Sequence, residues 1–149
     1  MNPSLKLAHY VVNMNKVVKM RDWYSTVLNA EVVFENDMMC FITYDDEHHR
    51  LAFMTPPGGA TEKPINSTGL MHAAFTFPNL RNLLEHYTHL KSFGITPQVP
   101  VQHGPTTSLY YPDPEDSGVG GIWARYASSI SIICSCLSSK VTRPGNRVQ

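Results

Sequence analysis

A chain of 149 residues, 42% hydrophobic and 16% charged with a formal net charge of zero, is one globular domain's worth of sequence or two intimately packed halves. The balanced charge provides no basic surface for nucleic acid or an anionic membrane, and no run of about 18 apolar residues and no basic-then-apolar leader marks a span or an export signal. Three cysteines, Cys40, Cys134 and Cys136, do not make a disulfide framework, so a reducing, cytoplasmic setting is expected.

Residues 7–12 (LAHYVV) have the character of a β-strand and carry His9 among apolar side chains. Asn15 is suited to cap a helix running to about Leu28. Val17, Met20, Tyr24, Val27 and Leu28 recur at helical spacing and give that helix one apolar face. Asn29 tolerates the left-handed conformation that ends a helix. Residues 31–34 and 38–44 read as strands, residues 45–50 (DDEHHR) as a polar hairpin turn, and residues 51–54 as the returning strand. The first module, residues 5–55, is therefore strand, helix and three strands. Residues 56–69 are rich in Pro and Gly without periodicity and mark a linker.

The second module, residues 70–118, repeats the order. Residues 70–77 (LMHAAFTF) form its strand and carry His72 in the setting of His9. Asn79 caps a helix to about Phe93, with Leu80, Leu83, Leu84, Tyr87 and Leu90 on its apolar face and Gly94 at its end. Residues 95–101 are extended, but Pro97 and Pro100 confine them to an edge or a loop. Residues 106–111 form a strand, and residues 112–118 (PDPEDSG) a turn. Matching features lie about 63–65 residues apart, which suits a duplicated module. Residues 119–149 break the pattern and form an atypical tail with no clear last strand, although residues 128–139 are Ser/Ile-rich and strongly β-prone.

Alternation places His9 beside Leu7 and Val11, and His72 beside Leu70, Ala74 and Thr76. An imidazole on such a face is hydrogen-bonded or ligates a metal. Packing two copies of one unit about a pseudo-twofold axis would bring the two histidines to one cleft. Two imidazoles suit Fe(II), Mn(II) or Zn(II), and a carboxylate would complete a two-histidine-one-carboxylate face. The other histidines read more simply: His48 and His49 as a solvated turn, His86 and His89 as exposed helix residues. Cys40 reads as packing.

The βαβββ repeat opened by LAHYVV and LMHAAF resembles the vicinal oxygen chelate superfamily, which holds glyoxalase I, bleomycin-resistance proteins and type I extradiol dioxygenases. The resemblance covers residues 5–118. Its most specific segment, His103-Gly104 followed by Ser108-Leu109-Tyr110-Tyr111-Pro112-Asp113-Pro114, resembles the small members related to biphenyl-2,3-diol dioxygenases. The resemblance implies that His9 and His72 bind iron, that Tyr110 contacts a catechol-type substrate, and that His103 is an acid/base residue.

One departure bears on that set. The family pattern carries its third ligand, a glutamate, ten residues after the tyrosine, and here that position is Gly120. Glu115 and Asp116 lie in the turn and read as solvated acids. Residues 145–149 (GNRVQ) resemble the missing continuation. Joining Glu115 directly to Gly145 restores the family turn and puts Gln149 at the glutamate position, so residues 116–144 read as an insertion before a displaced last strand.

The expected fold is α+β, two βαβββ modules forming a curved mixed sheet with a metal or ligand cleft. The expected function is metal-dependent extradiol cleavage of a catechol-type diol, impaired where the third ligand is lost. The alternatives are a non-catalytic small-molecule-binding module of the same fold and a glyoxalase-like lyase or isomerase. The last is weakened because residues 51–54 offer no carboxylate. The implied partners are a small aromatic substrate or ligand and, from an exposed sheet edge, a second copy in a homodimer.

Overall fold

A computed structural model of the chain describes residues 4–61, 72–103 and 106–115, and the backbone of 129–134. Its elements are β1 (Tyr10–Asn13), α1 (Val17–Leu28), β2 (Glu31–Glu35), β3 (Met39–Thr43), β4 (Leu51–Met54), β5 (His72–Phe77), α2 (Leu80–Ser92), β6 (Val99–Gln102), β7 (Thr107–Pro112) and β8 (Ser129–Cys134). The order is βαβββ twice. The described residues fall in two compact units, one holding those up to Ala73 with 112–115, the other 74–103 and 106–111. No helix among the described residues is long and apolar enough to cross a membrane.

The first sheet has the order β1-β4-β3-β2, with β1 parallel to β4 and the other pairs antiparallel. Register divides it into two faces. One row joins Val12, Phe53 and Cys40, and the next joins Tyr10, Leu51 and Ile42. These rows face α1, since the Tyr24 ring lies 5.1 Å from that of Phe53. Val17, Met20, Tyr24 and Val27, the helical stripe read from the sequence, are buried there with Cys40, Ile42, Leu51 and Phe53. Each buried Leu, Ile or Phe contributes about 1.5–3 kcal/mol. The alternate row, Val11, Ala52 and Phe41, lies on the face away from α1.

A β-bulge interrupts the β2–β3 ladder. Val32 pairs with Ile42, but Phe34 pairs with Phe41, so Val33 and Phe34 together oppose one residue. Beyond the bulge, Glu35 pairs with Cys40 on the helix side and meets Arg21 of α1 in an ion pair.

The start of α1 differs from expectation. Lys16 occupies the N-cap position and no side chain of the helix caps it. Glu115 does so from a distance of 100 residues in sequence: its Oε1 accepts from the backbone N–H of Asn15 at 2.7 Å and from that of Lys16. A carboxylate there satisfies free donors and complements the positive end of the helix dipole. Asn15, expected as the cap, instead clasps Ala60. Its Nδ2 donates to the Ala60 carbonyl at 2.9 Å and its Oδ1 accepts from the Ala60 N–H at 2.7 Å. Gly59 lies alongside at φ +85°, where a Cβ would stand 3.3 Å from Asn15 Oδ1. Asn29 ends α1 in the left-handed conformation, as read.

In the second module Asn79 caps α2 as expected, accepting from the Asn82 N–H at 3.0 Å. Its apolar face is narrower than read: Leu83 and Leu90 are buried, whereas Leu80 and Leu84 are exposed. The second sheet has the order β5-β8-β7-β6. Pro100 lies on the edge strand β6, where no ladder hydrogen bond is lost. The order matches that of the first sheet, with β8 in the place of β4. The Ser/Ile-rich run thus provides the strand for which the sequence offered no clear candidate. Residues 145–149, read as a displaced last strand, lie outside the described residues.

Candidate active site

His9 does not lie within β1. The strand begins at Tyr10, and His9 is exposed just before it, so the expected apolar strand setting is corrected. What holds it is the turn between β3 and β4. The Arg50 carbonyl accepts from the Tyr10 N–H at 3.1 Å. The Arg50 guanidinium donates to the carbonyls of Leu7 and Ala8 and is gripped by both Asp45 oxygens. The Asp45 partnership raises the Arg50 pKa, and Arg50 holds the Asp45 carboxyl below its ordinary range. The His49 ring lies 4.3 Å from that of His9 and stacks on Phe41 at 4.8 Å and 17°. Burial first, then His9 and His48, lower the His49 pKa. One Nδ1 of His48 and His49 donates to the other across 2.9 Å. The reading of this pair as a solvated turn therefore fails for His49, which is half-buried against two rings.

The second constellation is His103 with Tyr110. His103 follows β6, and its N–H donates to the Thr106 carbonyl at 2.8 Å. Tyr110 lies on β7 opposite Val99. The hairpin register brings His103 Nε2 to 3.3 Å from the Tyr110 hydroxyl. The phenol donates when the imidazole is neutral, and an N–H of the imidazolium donates to the phenol oxygen otherwise. The pair can therefore hold a proton at either atom.

His72 opens β5, the position in the second module that corresponds closely to His9 in the first, and it is half-buried. His86 is half-buried too, 5.0 Å from the Phe77 ring, rather than exposed as read. Among the described residues no group of three His, Cys, Asp or Glu side chains is placed to hold a metal ion. Gly120, at the third-ligand position, lies outside them. Glu115 is not a solvated acid, and its bonds to the start of α1 occupy it. Cys40 is buried, its thiol pushed up to about 11 by burial, in keeping with packing.

The sequence reading missed the turn 45–50 as the mount for His9. The available signal was its Arg50, a cation placed directly before a returning strand that is otherwise apolar. It also missed Asp113, which is buried, accepts from the Tyr24 hydroxyl at 3.3 Å and accepts from the Glu115 N–H at 3.0 Å.

The family model of the Glyoxalase/Bleomycin resistance protein/Dioxygenase superfamily matches residues 6–120. Over 115 residues, 76% of this chain, the sequence is 52% identical to biphenyl-2,3-diol 1,2-dioxygenase 3 of Rhodococcus globerulus. Over 119 residues, 80% of the chain, it is 48% identical to biphenyl-2,3-diol 1,2-dioxygenase 2 of the same organism. These matches take in 60% and 63% of the two relatives, so the chain spans less than two thirds of their length. Among solved structures, a lactoylglutathione lyase from Agrobacterium tumefaciens superposes with a TM-score of 0.64 at 15% identity, covering 90% of this chain and 96% of that one. A fosfomycin resistance protein, FosX, from Listeria monocytogenes superposes with a TM-score of 0.60 at 14% identity, covering 92% and 97%. At such identities the likeness speaks for the fold alone.

Proposed function

We propose, from the premise that the chain belongs to the Glyoxalase/Bleomycin resistance protein/Dioxygenase superfamily, that it is an extradiol-type dioxygenase acting on a catechol-like aromatic diol. The observation that carries this reading is the imidazole–phenol pair of His103 and Tyr110, 3.3 Å apart, in a chain about half identical to two proteins named biphenyl-2,3-diol dioxygenases. Tyr110 hydrogen-bonds a substrate oxygen. His103 is exposed, so it exchanges the diol proton with solvent.

His9 and His72 are the proposed metal ligands, and their chemistry suits Fe(II), with Mn(II) or Zn(II) as substitutes. Fe(II), when bound, supplies the neighbouring open positions that a diol and dioxygen require. Gly120, which has no side chain to ligate a metal, stands at the position where the family pattern carries its third ligand, which supports weak metal retention. That same incompleteness favours a second reading, a binding module that holds a small aromatic ligand without turnover. The β2 edge strand, exposed along its whole length, supports a homodimer.

Anaerobic loading with Fe(II), measurement of bound metal and addition of a catechol in air test the first reading against the second. Stoichiometric iron with a yellow ring-opened product supports the dioxygenase. Failure to retain iron, with ligand affinity unchanged after His9→Ala and His72→Ala, leaves the binding module standing.

A further inference from the structure

We infer that Phe34 is a specificity-determining residue, turned by the β-bulge to receive an aryl or other flat apolar substituent on the ring of a diol bound beside His9. The inference rests on the dioxygenase reading and deepens it.

The bulge is the first ground. In a regular ladder Val33 would oppose Phe41 and Phe34 would oppose Cys40, whose row faces α1. With the bulge, Phe34 opposes Phe41 on the other face. Bulges commonly re-aim a side chain next to a functional site. The next residue, Glu35, returns to the helix side, where Arg21 holds its carboxylate. That charge is thereby kept away from the row that Phe34 joins.

The second ground is the row itself. The Phe34 and Phe41 rings are 5.4 Å apart, Phe41 and His49 are 4.8 Å apart, and His49 and His9 are 4.3 Å apart. Four rings thus run without interruption from the edge strand to the proposed ligand His9. Offset and tilted pairs at these spacings are favourable, and such a row accepts a further flat ring on the same terms. Phe34 is 45% exposed, while Phe41 in the middle is half-buried. The row is therefore open at Phe34, the end farthest from His9, as well as at His9 itself. A bare catechol at His9 would not need the Phe34 end. A catechol bearing a second ring would.

The test compares dissociation constants for catechol and for 2,3-dihydroxybiphenyl, measured anaerobically on the Fe(II)-treated full chain, for wild type, Phe34→Ala and Phe34→Leu. Phe34→Ala is expected to weaken the two-ring diol about tenfold and to leave catechol within about twofold, with Phe34→Leu between. Equal weakening of both diols, or no weakening of either, overturns the inference while leaving the dioxygenase reading intact. A change from dimer to monomer with selectivity unchanged also overturns it and assigns the face to an interface between copies. If wild type binds neither diol, the dioxygenase reading falls and the inference falls with it.

Discussion

The His49 ring covers that of His9 at 4.3 Å, so the histidine that leads into β1 is held by a residue 40 positions later in the chain. His49 is in turn backed by Phe41. Groups that orient a metal ligand typically tune its affinity 10–100-fold. With His9 as a proposed metal ligand, His49→Ala is therefore expected to lower retention of Fe(II) or Co(II) by about tenfold, whereas His49→Phe, which keeps a ring between Phe41 and His9, stays within about threefold of wild type. Equal metal affinity in wild type and His49→Ala, measured by equilibrium dialysis, would remove His49 from the site.

Glu115 makes a second long-range connection. Its carboxylate accepts from the backbone N–H groups of Asn15 and Lys16, which lead into α1, a helix start that no local side chain caps. Glu115→Ala is expected to cost about 1 kcal/mol, the usual cost of a lost cap, and Glu115→Gln less, because the amide oxygen still accepts. Urea denaturation of the three proteins checks the order. A Glu115→Ala midpoint equal to wild type would mean that the carboxylate stabilises nothing.

Much of the fold could be read because local pattern decides it. Val17, Met20, Tyr24 and Val27 follow the helical period and are the residues buried under α1, and the extent of β4 matches its apolar run. His103 and Tyr110 are legible only through the family resemblance of residues 103–114; the hairpin register that brings them together shows only in the structure. The rest depends on partners remote in sequence. Asn15 looks like a cap, but its amide meets Ala60, and Glu115 takes over its task. The composition of the 45–50 turn says solvent, yet Arg50 and His49 reach the chain ahead of β1. The bulge at Val33 leaves no mark in a strand whose residues alternate poorly.

The His103–Tyr110 contact predicts coupled rather than additive effects. On the proposed dioxygenase reading, either His103→Gln or Tyr110→Phe removes the same proton-bearing contact, so each is expected to lower kcat about 100-fold, and the double variant hardly more than the worse single one. The comparison uses ring-cleavage rates at saturating diol across pH 6–9. Effects that multiply in the double variant would show that the two residues act separately.

Tyr111 predicts the response to alkali. Its side chain is fully buried on β7, and its hydroxyl has no hydrogen-bond partner among the described residues. Burial first, then the neighbouring Tyr87, pushes its pKa from 10.0 up to about 12. The folded state therefore keeps a proton that the unfolded chain loses above pH 10. The stabilisation is complete below pH 10 and is lost as pH rises toward about 12. Tyr10, whose pKa burial also raises, contributes with the same sign to wild type and variant alike. The difference between wild type and Tyr111→Phe isolates Tyr111. At pH 8 the variant is expected to be as stable as wild type or up to about 1 kcal/mol more so, since it loses an unpaired buried hydroxyl. Between pH 10 and pH 12 its stability should fall less steeply. Guanidinium titrations at four pH values across that range decide the matter: parallel curves would mean that the Tyr111 phenol is not what the folded state protects.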